Sequence, residues 1–148
     1  MAAWLCELGA TLVHNANAIA WKSADNLADL APHRELDLGF EIACVFESDP
    51  TPGFGHLVHT RGLLNFGHPD FVLFGAHPRD ARPLGLILNM LAEEAALGRR
   101  FFPGERIGPL ELPPALIEDY EPEGPHPDVH LNNAGLCIDV SGWDLSDV

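Results

Sequence analysis

Alternating hydrophobic and polar positions at 36–47 give the clearest structural signal in the chain. Every even position carries a hydrophobic residue: Leu36, Leu38, Phe40, Ile42, Cys44 and Phe46. Because successive side chains of a strand point to opposite faces, this period predicts a half-buried strand with its even positions inside. Further strands are expected at 55–63, 70–75 and 136–140. The run at 70–75 is hydrophobic throughout its centre, which predicts a central strand buried on both faces.

Helical spacing follows at 80–97. The hydrophobic residues there recur three or four positions apart and form one stripe of a helix: Ala81, Leu84, Leu88, Leu91 and Ala95. A short N-terminal helix is expected from Ser23, a good N-cap residue, to Leu30, ahead of Pro32. These elements predict an α+β domain in which an antiparallel sheet packs against one main helix.

The C-terminal part has a different composition. Residues 107–148 are acidic and rich in proline, and 118–128 is interpreted as a solvated loop. A chain of 148 residues suits one domain, so we expect 1–148 to form a single domain that includes this part.

Charge narrows the functional classes. Eight Lys and Arg face 22 Asp and Glu, a net charge of −14, and residues 107–148 contain no Lys or Arg at all. Nucleic acids and anionic membranes bind clustered bases, so neither is an expected partner, whereas a basic protein is. No run of about 18 apolar residues could span a bilayer. Three widely spaced cysteines and a start without a basic region favour a cytoplasmic protein.

Eight histidines are many for this length, and four of them lie between 56 and 77: His56, His59, His68 and His77. Neutral imidazole binds zinc and other transition metals, which makes these four a candidate metal set. In an extended segment, however, positions 56 and 59 point to opposite faces, so a shared ion is not favoured. Phosphate-binding loops and dinucleotide fingerprints do not occur, and no cofactor is expected.

The densest group of chemically specific residues runs from 59 to 70. Four of its polar residues bracket a turn between two expected strands, with glycines at both ends of the turn: Thr60, Arg61, His68 and Asp70. Such a loop on a rigid scaffold is a common place for a binding site. In the alternative interpretation Asp70 simply hydrogen-bonds the turn. His59, Thr60, Arg61, His68, Asp70 and Asn89 are the candidate binding residues.

Several short motifs occur in a fixed order between 39 and 104. They are Gly39-Phe40, Pro52-Gly53-Phe54, Thr60-x-Gly62-Leu63, Gly67-His68-Pro69-Asp70, Ile87-Leu88-Asn89 and Phe102-Pro103-Gly104. This region resembles a family of uncharacterised bacterial domains of unknown function with T-x-G-L, G-H-P-[DE] and L-N motifs. The resemblance implies a small bacterial α+β domain and supplies no activity. The chain departs from that pattern at His59, where an aromatic residue is more usual.

Two functional hypotheses follow. The first is a non-catalytic binding or regulatory module, like an immunity protein or a nucleic-acid mimic, that meets a basic partner. The alternative is a small metal-dependent or histidine-based enzyme that uses the 56–77 histidines. The first is favoured because no nucleophile motif or cofactor loop can be named. The oligomeric state is left open, with a homodimer among the options.

Overall fold

A six-stranded mixed sheet organises the computed structural model, which describes residues 8–25, 38–50, 55–121 and 133–146. The strands are β1 Leu12–Asn15, β2 Ala20–Ser23, β3 Ala43–Phe46, β4 His56–Arg61, β5 Asp70–Ala76, β6 Arg106–Ile107, β7 Ala115–Asp119 and β8 Gly135–Asp139. The helices are α1 Leu38–Glu41 and α2 Ala81–Ala96. Strands β1 and β2 form a separate hairpin, and the main sheet has the order β3-β4-β5-β8-β7-β6.

The expectation of an antiparallel sheet is wrong at one position. Strands β5 and β8 run parallel, whereas the other paired strands of the described sheets are antiparallel. Parallel neighbours need a long crossover, and here α2, β6 and β7 all lie between the two strands in sequence. The hydrophobic pattern of a strand reports which faces are buried and not the direction of its neighbour, so the pattern could not reveal this pairing.

The main core lies between the sheet and α2, which confirms the single main helix. The inward residues of α2 are Leu84, Ile87, Leu88, Leu91, Ala92 and Ala95. They pack with one face of the sheet, which includes Leu73 and Ile138. The opposite face buries a smaller cluster of Leu57, Val72, Tyr120 and Cys137. Neither described helix is long and apolar enough to cross a membrane.

The alternating segment at 36–47 is only partly a strand. Residues Leu38–Glu41 form α1, closed by a hydrogen bond from the Ile42 N–H to the Leu38 carbonyl (2.7 Å). Phe40 and Ile42 are buried as expected, but Cys44 is exposed. The reason is that β3 lies at the edge of the sheet, where the Cys44 thiol contacts Asn89, an exposed residue of α2.

Two further expectations meet different outcomes. Strands expected at 55–63, 70–75 and 136–140 are confirmed by β4, β5 and β8, and β5 is buried on both faces as expected. The short helix from Ser23 to Leu30 is not confirmed, because Ser23 belongs to β2 and 26–30 lies outside the described residues. The expected loop at 118–128 is wrong at its start, where two residues complete β7. Residues 122–128 lie outside the described residues.

The core assignment can be tested on two leucines. Leu73 is fully buried between the sheet and α2, whereas Leu64 is 46% exposed. Leu73→Ala should lower the free energy of unfolding by about 2–5 kcal/mol, because it removes transfer energy and leaves a cavity. Leu64→Ala should cost less than about 1 kcal/mol. Urea denaturation measures both, and equal costs would contradict the assignment.

Candidate functional site

The Asp70 carboxylate, at the start of β5, is the centre of the polar cluster and is fully buried. Its Oδ1 accepts hydrogen bonds from the Thr60 hydroxyl (2.9 Å) and the Leu63 N–H (3.2 Å). Its Oδ2 accepts from the Asn133 side-chain amide (3.2 Å). The Thr60 hydroxyl in turn accepts from the Phe71 N–H (2.9 Å). Three separate segments therefore meet at one carboxylate.

The turn that brings Thr60 and Asp70 together depends on a glycine. Gly62 has φ +118°, and a Cβ there would lie 2.1 Å from the Glu41 carbonyl oxygen. No side chain fits this close approach, so glycine is required on both steric and conformational grounds. A 3-10 helix, Leu63–Phe66, follows, and the His68 N–H then bonds to the Leu63 carbonyl (3.1 Å). The chain thereby re-enters the sheet at Asp70.

Burial and hydrogen bonding act in opposite directions on Asp70. Desolvation raises the pKa of the carboxyl above its ordinary value, while the hydrogen bonds from Thr60, Leu63 and Asn133 lower it. Burial is the larger effect. A carboxylate that costs energy to desolvate is tolerated because its donors satisfy it. Thr60 and Asp70 have no exposed surface, so their hydrogen bonds join β4 to β5 inside the fold.

His68 lies against aromatic rings beneath the same turn. Its ring packs 5.3 Å from Phe71 and 5.6 Å from Phe101, centroid to centroid. Nδ1 donates to the Pro69 carbonyl (2.6 Å), so Nε2 is left to accept the Phe101 N–H (3.4 Å). Burial lowers the pKa of His68, and the nearby Arg100 guanidinium adds to that effect while Asp70 opposes it. The neutral ring is the form that fits these contacts.

The His59 side chain leaves β4 on the face opposite that of Thr60. Its Nε2 lies 2.9 Å from the Glu47 carboxylate and its Nδ1 lies 3.1 Å from the Thr60 carbonyl oxygen. Both ring nitrogens thus lie within hydrogen-bond distance of acceptor oxygens. His59 is almost fully buried, so it also acts as a tie between β4 and the end of β3.

The remaining candidates are dispersed. Arg61 lies opposite Ala43 at the end of β4, and Asn89 lies on α2, where its Oδ1 accepts from the Cys44 thiol (3.1 Å). His56 stacks on Phe46, and His77 caps the turn before α2. Within the described ranges no three His, Cys, Asp or Glu side chains are grouped to hold a metal ion.

Sequence reasoning missed a surface cleft at the carboxyl ends of β5 and β8. Two adjoining depressions of about 440 and 240 Å³ share the residues Arg79, Asp80, Trp143 and Leu145. Arg79 lies 3.6 Å from Asp80, and the Trp143 indole N–H donates to the Pro113 carbonyl (2.8 Å). This cleft exists because β5 and β8 are parallel, so both their ends meet the start of α2. The sequence carried no signal for that pairing.

The buried tie predicts a specific cost at Thr60. Thr60→Val keeps the shape of the side chain but leaves the Phe71 N–H without its acceptor and Asp70 with one donor fewer. We expect a loss of about 2–3 kcal/mol, since buried polar groups lose their partners. The matched control, Thr60→Ser, keeps the hydroxyl and should cost clearly less. Urea denaturation compares them, and a valine variant as stable as the serine variant would contradict the tie.

His68 predicts a pH dependence of stability. Because its pKa in the folded chain is held below the ordinary 6.5, the unfolded chain binds more protons at mildly acid pH. The stabilisation is therefore present above pH 6.5 and is lost as the pH falls below it. His68→Gln should flatten this dependence, whereas His77→Gln, at an exposed histidine, should not. Denaturation curves at several pH values test this, and equal slopes for wild type and His68→Gln would refute it.

Comparisons with known proteins leave the chain without an assigned relative. No family model matches it, and neither the curated proteins nor the solved structures provide a match. The resemblance of residues 39–104 to uncharacterised bacterial domains therefore stays a prediction from motifs.

Proposed function

We propose that this chain is a non-catalytic binding or regulatory module that recognises a basic protein partner in the cytoplasm, in the manner of an immunity protein or a nucleic-acid mimic. The observation that carries the proposal is the exposure of Glu118, Asp119 and Glu121 at the end of β7. In these three residues, named here the acidic strand end, Glu118 and Asp119 complete β7 and Glu121 follows it closely, and β7 is paired to the centre of the sheet through β8.

The acidic strand end lies next to Cys137, which faces Glu118 across the β7–β8 ladder. Burial, together with the charges of Glu118 and Asp119, raises the pKa of the Cys137 thiol to about 11. None of the ion pairs found among the described residues includes a member of the acidic strand end. Its negative potential is thus available to an approaching partner.

The enzyme alternative has less support from the geometry. It needs polar side chains that converge where a substrate can reach them. Thr60 and Asp70 do converge, but both are fully buried and both are engaged with the backbone. The histidines of the 56–77 stretch bind different partners on different parts of the sheet and the α2 turn. A basic-partner surface therefore accounts for more of the exposed chemistry.

The test is the association rate with a ten-residue lysine peptide over salt concentrations of about 50 to 500 mM. The wild-type rate should fall steeply with salt, because opposite charges steer the encounter. Glu118→Gln combined with Asp119→Asn should slow association several-fold at low salt and leave stability almost unchanged. The matched control, Asp25→Asn with Asp49→Asn, removes the same charge from exposed positions elsewhere.

Two results would count against the proposal. A rate that does not change with salt would show that the charge does not steer binding. Equal slowing by the two double variants would show that only net charge matters and that the acidic strand end is no recognition surface.

A further inference from the structure

The outer side of α2 carries an apolar stripe that no described residue covers. Leu86, Met90 and Leu97 are 50%, 37% and 79% exposed. At about 100° per residue, these three fall within an arc of about 80° that also contains Arg82 and Glu93. These five residues, named here the α2 stripe, lie on the side of the helix turned away from the sheet.

The two charged members of the α2 stripe stand at opposite ends of it. Arg82 is in the first turn and Glu93 lies about 16 Å further along the helix. Among the described residues no ion pair contains either of them, although the neighbouring Glu94 is paired with Arg99. An opposite charge for each is therefore missing within the described part of the chain.

The surroundings of the α2 stripe are electrically unlike the remainder of the chain. Residues 77–106 hold five arginines and four acids, whereas the whole chain has a net charge of −14. The negative charge is thus concentrated outside this region. Two copies that meet here avoid the like-charge repulsion that would oppose contact through other surfaces.

We propose that the α2 stripe is the interface of a homodimer in which two α2 helices pack antiparallel about a two-fold axis. A two-fold interface is self-complementary, so each contact occurs twice. With the axis between positions 87 and 88, Arg82 of each copy meets Glu93 of the other.

This pairing leaves Glu118 of the acidic strand end open. The α2 helix packs on the sheet face that contains Ile117 and Ile138, while Glu118 alternates to the opposite face with Cys137. The dimer would present two acidic surfaces on its outer sides. Because one helix pair buries little area, we expect a weak dimer in rapid exchange.

Sedimentation velocity of the full chain at about 10 to 500 µM tests the proposal. The apparent mass should rise from 16.1 kDa towards twice that value with concentration. Met90→Glu should keep the chain monomeric. Arg82→Glu and Glu93→Arg should each weaken association about tenfold, and the combined swap should restore it, because the pairs reform with reversed sign. Circular dichroism checks folding, which these exposed positions should not disturb.

The β1–β2 hairpin supplies the matched control. Leu12 is 58% exposed there, so Leu12→Glu introduces the same charge at another exposed apolar position and should leave the dimer intact. A wild-type chain that is monomeric at every concentration would overturn the proposal. So would a dimer that Leu12→Glu abolishes, or a charge swap that fails to restore association.

Discussion

The structure depends on one buried carboxylate. Asp70 draws a hydroxyl from β4, an N–H from the following turn and an amide from the segment before β8. Its own N–H bonds to the Ala134 carbonyl (2.8 Å), so the same residue also begins the pairing of β5 with β8. An unpartnered carboxylate at this depth would be too costly, so all three donors are needed in the folded chain. These contacts hold β4, the turn and the segment before β8 together at the centre of the sheet.

The sheet built on this tie separates two kinds of surface. One face is covered by α2, whose surroundings carry nearly balanced charge. Glu118 of the acidic strand end lies on the other face of the sheet, opposite Cys137, a thiol whose pKa is raised chiefly by burial and also by the Glu118 charge. Because the acidic residues and the nearly neutral surroundings of α2 lie on different faces, the repulsion between like charges is confined to surfaces that face solvent. A basic partner and a second copy would then approach different sides and would not compete.

Local signals made α2, β4, β5 and β8 predictable from the sequence. Each has a period or a hydrophobic run that fits within a few turns or residue pairs. The strand expected at 36–47 is wrong in its first half. Burial at alternate positions also occurs in α1, where Phe40 packs inward. The parallel pairing of β5 and β8 could not be predicted, since it joins residues as far apart as Asp70 and Gly135. No periodicity extends over such a separation.

The sequence allowed us to predict which residues come together in the candidate site, but not whether a ligand could reach them. A hairpin turn had to bring Thr60 and Asp70 close, and they bond directly. Threonine and aspartate are residue types that catalysis uses. Here, however, the Thr60 hydroxyl donates to Asp70 and accepts from the Phe71 N–H, so it is engaged both as a donor and as an acceptor. A catalytic group would differ from a structural one here by having a hydrogen-bonding position that faces solvent. Thr60 and Asp70, from the T-x-G-L and G-H-P-D motifs, tie β4 to β5, and the binding that we propose uses exposed charges and apolar residues elsewhere.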